Sequence, residues 1–190
     1  MVNLTRIYTR TGDDGTTALG DMSRTTKTDP RLIAYADTNE ANAAIGVAIA
    51  AGGLAEDVTA VLVRVQNDLF DVGADLATPV VEDPKYPPLR VLQSYIDKLE
   101  SDCDHYLESL EKLRSFILPG GTVGAAHLHL ACTVVRRAER ATWAAIEEHG
   151  DTVNPLTAKY LNRLSDLLFI LARAANKERG DVLWVPGENR

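Results

Sequence analysis

Five stretches of the chain repeat apolar residues at three- and four-residue steps, and glycine or proline closes off all but the third. That period gathers the apolar side chains on one stripe of a helix, which must then be buried against other helices. The last stretch is the clearest: Leu161, Leu164, Leu168, Leu171 and Ala175 share a stripe that starts near Asn154-Pro155 and ends before Gly180. The first runs from Arg31 to Ala51 after Pro30, carries Leu32, Ile33, Ile45, Val47 and Ile49, and stops at Gly52-Gly53. The second, Ala55 to about Leu76, repeats Val58, Val61, Leu62, Val65, Leu69 and Val72. A polar loop from Thr78 to Pro88 leads to a third helix marked by Leu92, Tyr95, Ile96, Leu99 and Leu107. The fourth follows Pro119-Gly120-Gly121 and extends to about His149. Short connections between consecutive helices make an up-and-down bundle. The expected fold is therefore all-α and single-domain: an extended N-terminal arm over 1–28, a five-helix bundle over 29–180 and a tail over 181–190.

The arm is set apart by its Thr, Gly, Asp and Arg content and by the absence of any helical or alternating period, which predicts a loop-like segment. With 20 Lys plus Arg against 27 Asp plus Glu, the net charge of −7 argues against general affinity for nucleic acid or an anionic membrane. An anionic ligand would have to meet locally concentrated arginines. Cys103 and Cys132 lie far apart without CxxC spacing, and Met1 to Tyr8 carry Arg6 but no apolar run. The expectation is a reduced, cytoplasmic protein with no signal peptide and no membrane span.

On the fourth helix, Leu128, Ala131, Val135 and Ala138 project to one side and are expected to face the core. His129, Cys132, Arg136 and Arg140 line the opposite side, with Arg137 flanking and Glu139 nearby. Guanidinium groups fixed on one and a half turns suit the oxygens of a phosphate chain, although such a charged face is often merely solvated. In the arm, Arg10-Thr11-Gly12-Asp13-Asp14-Gly15-Thr16-Thr17 sets glycines among hydroxyls and carboxylates. Backbone amides there can converge on an anion, and Asp13 or Asp14 could meet a magnesium ion; a plain turn is the bland alternative. Lys27 adds a movable positive charge. Neither a Walker A loop nor a dinucleotide-binding glycine pattern is present in the sequence. On the fifth helix, Asn162 and Asp166 share a face, and the side carrying Asn162, Asp166, Phe169, Ile170 and Arg173 mixes polar with large apolar groups. A second buried contact is expected there, supplied by another copy of the chain or by the bundle itself.

In order and spacing, TRTGDDGTT from Thr9, Ser115-Phe116-Ile117-Leu118-Pro119-Gly120-Gly121-Thr122, Val135-Arg136-Arg137-Ala138-Glu139-Arg140 and Tyr160-Leu161-Asn162-Arg163-Leu164-Ser165-Asp166 resemble the PduO-type ATP:corrinoid adenosyltransferases, over nearly the whole chain. The resemblance implies a homotrimer of five-helix bundles with sites between adjacent subunits. It implies transfer of the 5′-deoxyadenosyl group of ATP to cob(I)alamin, giving adenosylcobalamin and triphosphate, with Mg²⁺ held mainly by the ATP phosphates. Thr9, Arg10, Thr11, Gly12, Thr17, Ala18 and Lys27 would hold ATP from one subunit, with Asp13 and Gly15 in the same turn. Arg136, Arg137, Glu139, Arg140 and Asn162 would complete the site from its neighbour, with Arg136 and Arg140 catalytic. Phe116 would lie against the lower corrin face and displace the axial base, so that cob(II)alamin becomes four-coordinate and easier to reduce; a core aromatic is its plainer reading. A cob(II)alamin reductase and a B12-dependent mutase receiving the product are the protein partners such chemistry implies.

The chain departs from the family at one pair. Members often match an Asp in a GT-x-DEL-N segment of helix one to an Arg four residues before the first arginine of RRAER. Here Asn39 and Cys132 stand at those positions. Losing both partners of an ion pair strands no charge, so an intersubunit salt bridge is expected to be replaced rather than broken. Two rival classes remain at this level: a carboxylate-bridged di-metal bundle, for which Asp102-Cys103-Asp104-His105 is only a loose approximation and His127 and His129 diverge, and a non-catalytic scaffold or corrinoid carrier.

Overall fold

A computed structural model describes residues 8–188; residues 1–7 of the expected arm and 189–190 of the expected tail lie outside the described residues. Five helices make up the body: α1 (Pro30–Ala51), α2 (Glu56–Leu76), α3 (Gln93–Leu107), α4 (Val123–His149) and α5 (Pro155–Ala175). Three of them start on sequence-encoded caps. Asp29 precedes Pro30 and accepts from the Arg31 amide, Thr122 accepts from Ala125, and Asn154 precedes Pro155 and accepts from Leu156.

The helices alternate in direction. At one end Arg31 of α1 donates from Nη1 to Leu76 O (3.0 Å) and from Nη2 to Thr152 Oγ1 (2.8 Å), joining the start of α1 to the end of α2 and the turn after α4. At the other end Thr122 Oγ1 donates to Ala175 O (3.2 Å), joining the start of α4 to the end of α5. The expected stripe of α5 is buried, with Leu161, Leu164, Leu168 and Leu171 fully enclosed, and it meets Leu62, Leu69, Leu99 and Leu128 in one core. α4 packs chiefly on α1 and α5, so it is covered on two sides. Among the described residues no helix is long and apolar enough to cross a membrane.

Two segments differ from the sequence expectation. The arm contains a small antiparallel hairpin, β1 (Thr16–Ala18) against β2 (Arg24–Thr26), with Thr16 opposite Thr26. Its turn is pinned to the bundle where the Gly20 amide donates to Ala77 O (2.8 Å). The tail does not run free either: the Leu118 amide donates to Val182 O and the Trp184 amide to Phe116 O, both at 2.8 Å, with Ile117 opposite Leu183.

Candidate functional site

The arm is a preformed turn. Arg24 Nη2 donates to Thr11 O (2.9 Å) and to the Thr16 hydroxyl, and lies 3.7 Å from Asp14 Oδ1, so one guanidinium gathers both limbs of the turn. Asp14 accepts from the Thr16 hydroxyl (2.8 Å) and amide (3.0 Å), bonds that hold its carboxyl below the usual range. Gly15 sits at φ +82°, a left-handed conformation that favours glycine. Gly12 is needed for a different reason: a Cβ there would come within 3.0 Å of Lys27 Nζ and 3.1 Å of Thr16 O. Lys27 is thus laid directly over the turn, and its amide donates to Gly15 O (2.9 Å). Arg10 is exposed and has φ +64°, an uncommon backbone for a non-glycine residue and one found at ligand-binding turns. The Thr9 and Thr11 hydroxyls lie 2.9 Å apart beside it; Asp13 is exposed in the turn, and on β1 Thr17 is half-buried and Ala18 exposed.

The stripe on α4 divides into two parts. His129 and Cys132, expected on an outward face, are 6% and 3% exposed. α5 covers them: the Cys132 thiol donates to Ser165 O (3.2 Å), and the His129 ring meets Phe169 edge to face at 5.9 Å. Burial pushes the Cys132 thiol up and the His129 imidazole down, so both are held neutral. Cys132 therefore contributes to packing within the chain.

Farther along α4, Arg136 and Arg140 are exposed and form a group with Glu139 and Asn162. Asn162 Nδ2 and Trp143 Nε1 both donate to Glu139 Oε1, at 3.1 and 3.3 Å. Arg140 Nη1 donates to Arg136 O (3.1 Å), and Arg136 Nε makes a long contact to Ser165 Oγ (3.4 Å). Arg137, expected in this group, turns instead toward α1, where it pairs with Asp37 (3.5 Å) and Glu40. Its position on the helix points it at acidic side chains of the neighbouring helix, which the wheel of α4 alone does not reveal. Asp166 pairs with Arg163 (2.6 Å), which also reaches Glu100 (3.0 Å), so its role is structural.

The outer face of α5 is covered within the chain over much of its length. Phe169 packs on His129, Ile170 is 7% exposed, and Arg173, also 7% exposed, donates to Asp181 Oδ2 (2.8 Å) and Glu111 O (2.7 Å). That face consequently requires no second copy of the chain to bury it.

Phe116 is 78% exposed, which rules out the core-aromatic reading. Its loop is held by the tail, and its ring meets Trp184 edge to face at 6.0 Å. Trp184, which holds the Phe116 loop, and Arg24, which holds the glycine turn, lie outside the set of residues expected from the sequence. Their only signals were an apolar run after Gly180 and a basic residue near the glycine turn.

The arm lies at the end of the bundle where α1 begins and α4 finishes, whereas Phe116 lies at the opposite end. α4 has 27 residues and spans about 40 Å between those ends. Arg136 and Arg140 occupy its middle. One chain therefore presents three separated parts rather than one closed pocket. Among the described residues, no three or more His, Cys, Asp or Glu side chains come together so as to hold a metal ion.

The cobalamin adenosyltransferase family matches the chain over residues 7–175. The corrinoid adenosyltransferase of Mycobacterium bovis is 65% identical over 189 residues, which cover 100% of this chain and 97% of that protein. One from Bacillus subtilis is 39% identical over 179 residues, covering 92% of this chain and 89% of its own length. Among solved structures, a variant PduO-type ATP:corrinoid adenosyltransferase from Lactobacillus reuteri, complexed with cobalamin and ATP, has a TM-score of 0.88 at 34% identity, covering 95% of this chain and 97% of that one.

Proposed function

Since the chain belongs to the cobalamin adenosyltransferase family, we propose that it transfers the 5′-deoxyadenosyl group of ATP to cob(I)alamin at a site assembled from two chains of a homotrimer. In this reaction the cobalt(I) lone pair attacks C5′, a Co–C bond forms, and the C5′–O bond breaks with its electron pair leaving on triphosphate. The nucleophile needs little activation, so the protein's contribution is alignment of cobalt with C5′ and stabilisation of the departing charge.

The observation that carries the shared site is the separation of the arm from Phe116 by about the length of α4. ATP held by the arm and a corrinoid held over Phe116 must approach to bonding distance, which the arm of one chain achieves by meeting the arginines and Phe116 of another. Thr9, Arg10, Thr11, Gly12, Asp13, Gly15, Thr17, Ala18 and Lys27 form the triphosphate cradle. Arg136 and Arg140 stabilise the leaving charge, and Glu139 holds Asn162 toward the nucleoside. Arg137 acts indirectly by fastening α4 to α1.

Mg²⁺ fits this cradle as an ion carried by the phosphates, because Asp14 is committed to Thr16 and Arg24 and Asp13 alone is left to reach it. Bound there, it would neutralise part of the triphosphate charge. The reading includes one domain, a cytoplasmic location consistent with two unpaired buried cysteines, and a cob(II)alamin reductase and a B12-dependent mutase as partners upstream and downstream. The direct test is anaerobic incubation with ATP, Mg²⁺ and chemically reduced cobalamin. The cob(I)alamin spectrum should convert to that of adenosylcobalamin, and its persistence would refute the assignment.

A further inference from the structure

Besides the Gly20 contact at the tip of its hairpin, the arm is fastened at its base to the bundle through one carboxylate. Asp29 Oδ2 accepts from Thr25 Oγ1 of β2 (2.8 Å), while Oδ1 accepts from the Arg31 amide of α1 (2.8 Å) and lies 2.8 Å from His149 Nε2 at the end of α4. Three elements thus meet on a single side chain. Burial raises its carboxyl, but the bonds from Thr25, Arg31 and His149 outweigh that and leave it below the usual carboxylate range. The neighbouring charge, Arg31, is 2% exposed and spends its guanidinium on Leu76 O and Thr152.

The position of this carboxylate matters for the arm. Lys27 is two residues back along the chain, and it is the residue that lies over Gly12 and bonds Gly15 O. Fixing Asp29 fixes Lys27, and Lys27 fixes the glycine turn. His149, for its part, closes the helix that carries Arg136 and Arg140.

We propose that Asp29, paired with His149, is a positioning residue for ATP: it anchors the arm so that Lys27 and the Gly12–Gly15 turn meet the triphosphate already ordered. This rests on the arm being the ATP cradle. An unanchored arm would have to be ordered by the ligand, and that cost appears in ATP affinity while the transfer step itself is spared.

The test separates anchoring from helix capping. Serine and asparagine cap helices as well as aspartate does. Asp29→Asn can still cap Arg31 through its one oxygen, but its NH2 replaces the oxygen that accepts from Thr25 and the charge facing His149 is lost; Asp29→Ser is too short to reach either. For Asp29→Ser, KM for ATP and Kd for ATP by calorimetry are expected to rise about tenfold, with kcat at saturating ATP and KM for the corrinoid changed less than about twofold. Asp29→Asn and His149→Ala should fall between it and the parent. Trypsin should cut after Arg24 and Lys27 faster in each variant, and saturating ATP should restore protection. Unchanged ATP affinity in Asp29→Ser would overturn the proposal, as would a parallel loss of kcat and Tm, which marks a purely structural role. Should the unsubstituted protein fail to bind ATP at all, the cradle reading fails instead, so the two failures are distinguishable.

Discussion

If each site is built from the arm of one chain and the stripe of another, two inactive variants can repair one another. The first carries Arg136→Ala with Arg140→Ala; both side chains are exposed and lightly bonded, so the fold should survive. The second carries Arg10→Ala with Lys27→Ala, also exposed. A hydrogen bond to a charged group contributes about 1.5–3 kcal/mol, so losing two such residues removes about 3–6 kcal/mol, or about 10²–10⁴ in rate or affinity. Each variant alone should therefore be nearly inactive. In a ring co-assembled from equal amounts, an interface is intact only when the chain lending its arm is the stripe variant and the chain lending its stripe is the arm variant. Those independent choices, a half each, restore about a quarter of the sites in any closed ring. Co-expression with two affinity tags and tandem purification remove the homomeric rings, which for a trimer raises the expected fraction to about a third, and the adenosylation assay then measures it directly. A co-assembled sample as inactive as its parents would refute the shared site, because a site confined to one chain cannot be complemented.

Phe116→Ala should separate function from folding: with the side chain 78% exposed and one ring contact to Trp184, its removal should cost about 1 kcal/mol, against about 3–5 kcal/mol for a core phenylalanine. Corrinoid adenosylation should fall at least about tenfold, and a large drop in Tm with activity retained would contradict the assignment. Asp75 is 1% exposed and accepts from Arg90 Nη1 (2.6 Å), the Val91 amide (2.7 Å) and Asn154 Nδ2 (2.7 Å). Asp75→Ala should then destabilise by about 3–5 kcal/mol in urea unfolding, and a loss under about 1 kcal/mol would show that the node is dispensable. Burial raises the Cys103 thiol to about 11, above its unfolded value, so the unfolded chain releases this proton first as pH rises. Stability should decline between about pH 9 and 11, by up to about 2–3 kcal/mol, and native Cys103 and Cys132 should resist thiol reagents at pH 8; rapid native labelling would contradict their burial.

The helices were legible because apolar period, proline starts and glycine stops are local signals. α5 starts at Asn154-Pro155 and α4 starts just after Pro119-Gly120-Gly121, as expected, with Thr122 as the cap of α4. The arm hairpin was not legible, since strands of three residues such as Thr16–Ala18 are too short to alternate, and Arg24 holds the turn through contacts that sequence spacing does not encode. Likewise the pairing of Phe116 with Trp184 joins segments nearly 70 residues apart. On α4, a wheel separates one side from another but assumes a single buried side. Packing between α1 and α5 gives the helix two, which is why His129 and Cys132 turned out enclosed while Arg136 and Arg140 stayed outside. Arg137 was claimed by Asp37 and Glu40 for a similar reason.

The exposed ring of Phe116 has a colloidal consequence as well as a chemical one. With Leu118, Val182, Trp184 and Val185, each between 44% and 64% exposed, it forms an apolar surface that water does not favour. Concentrated solutions of the protein should scatter light increasingly as salting-out anions are added, and a corrinoid that covers this surface should act as a solubiliser, making shelf behaviour an unintended reporter of occupancy.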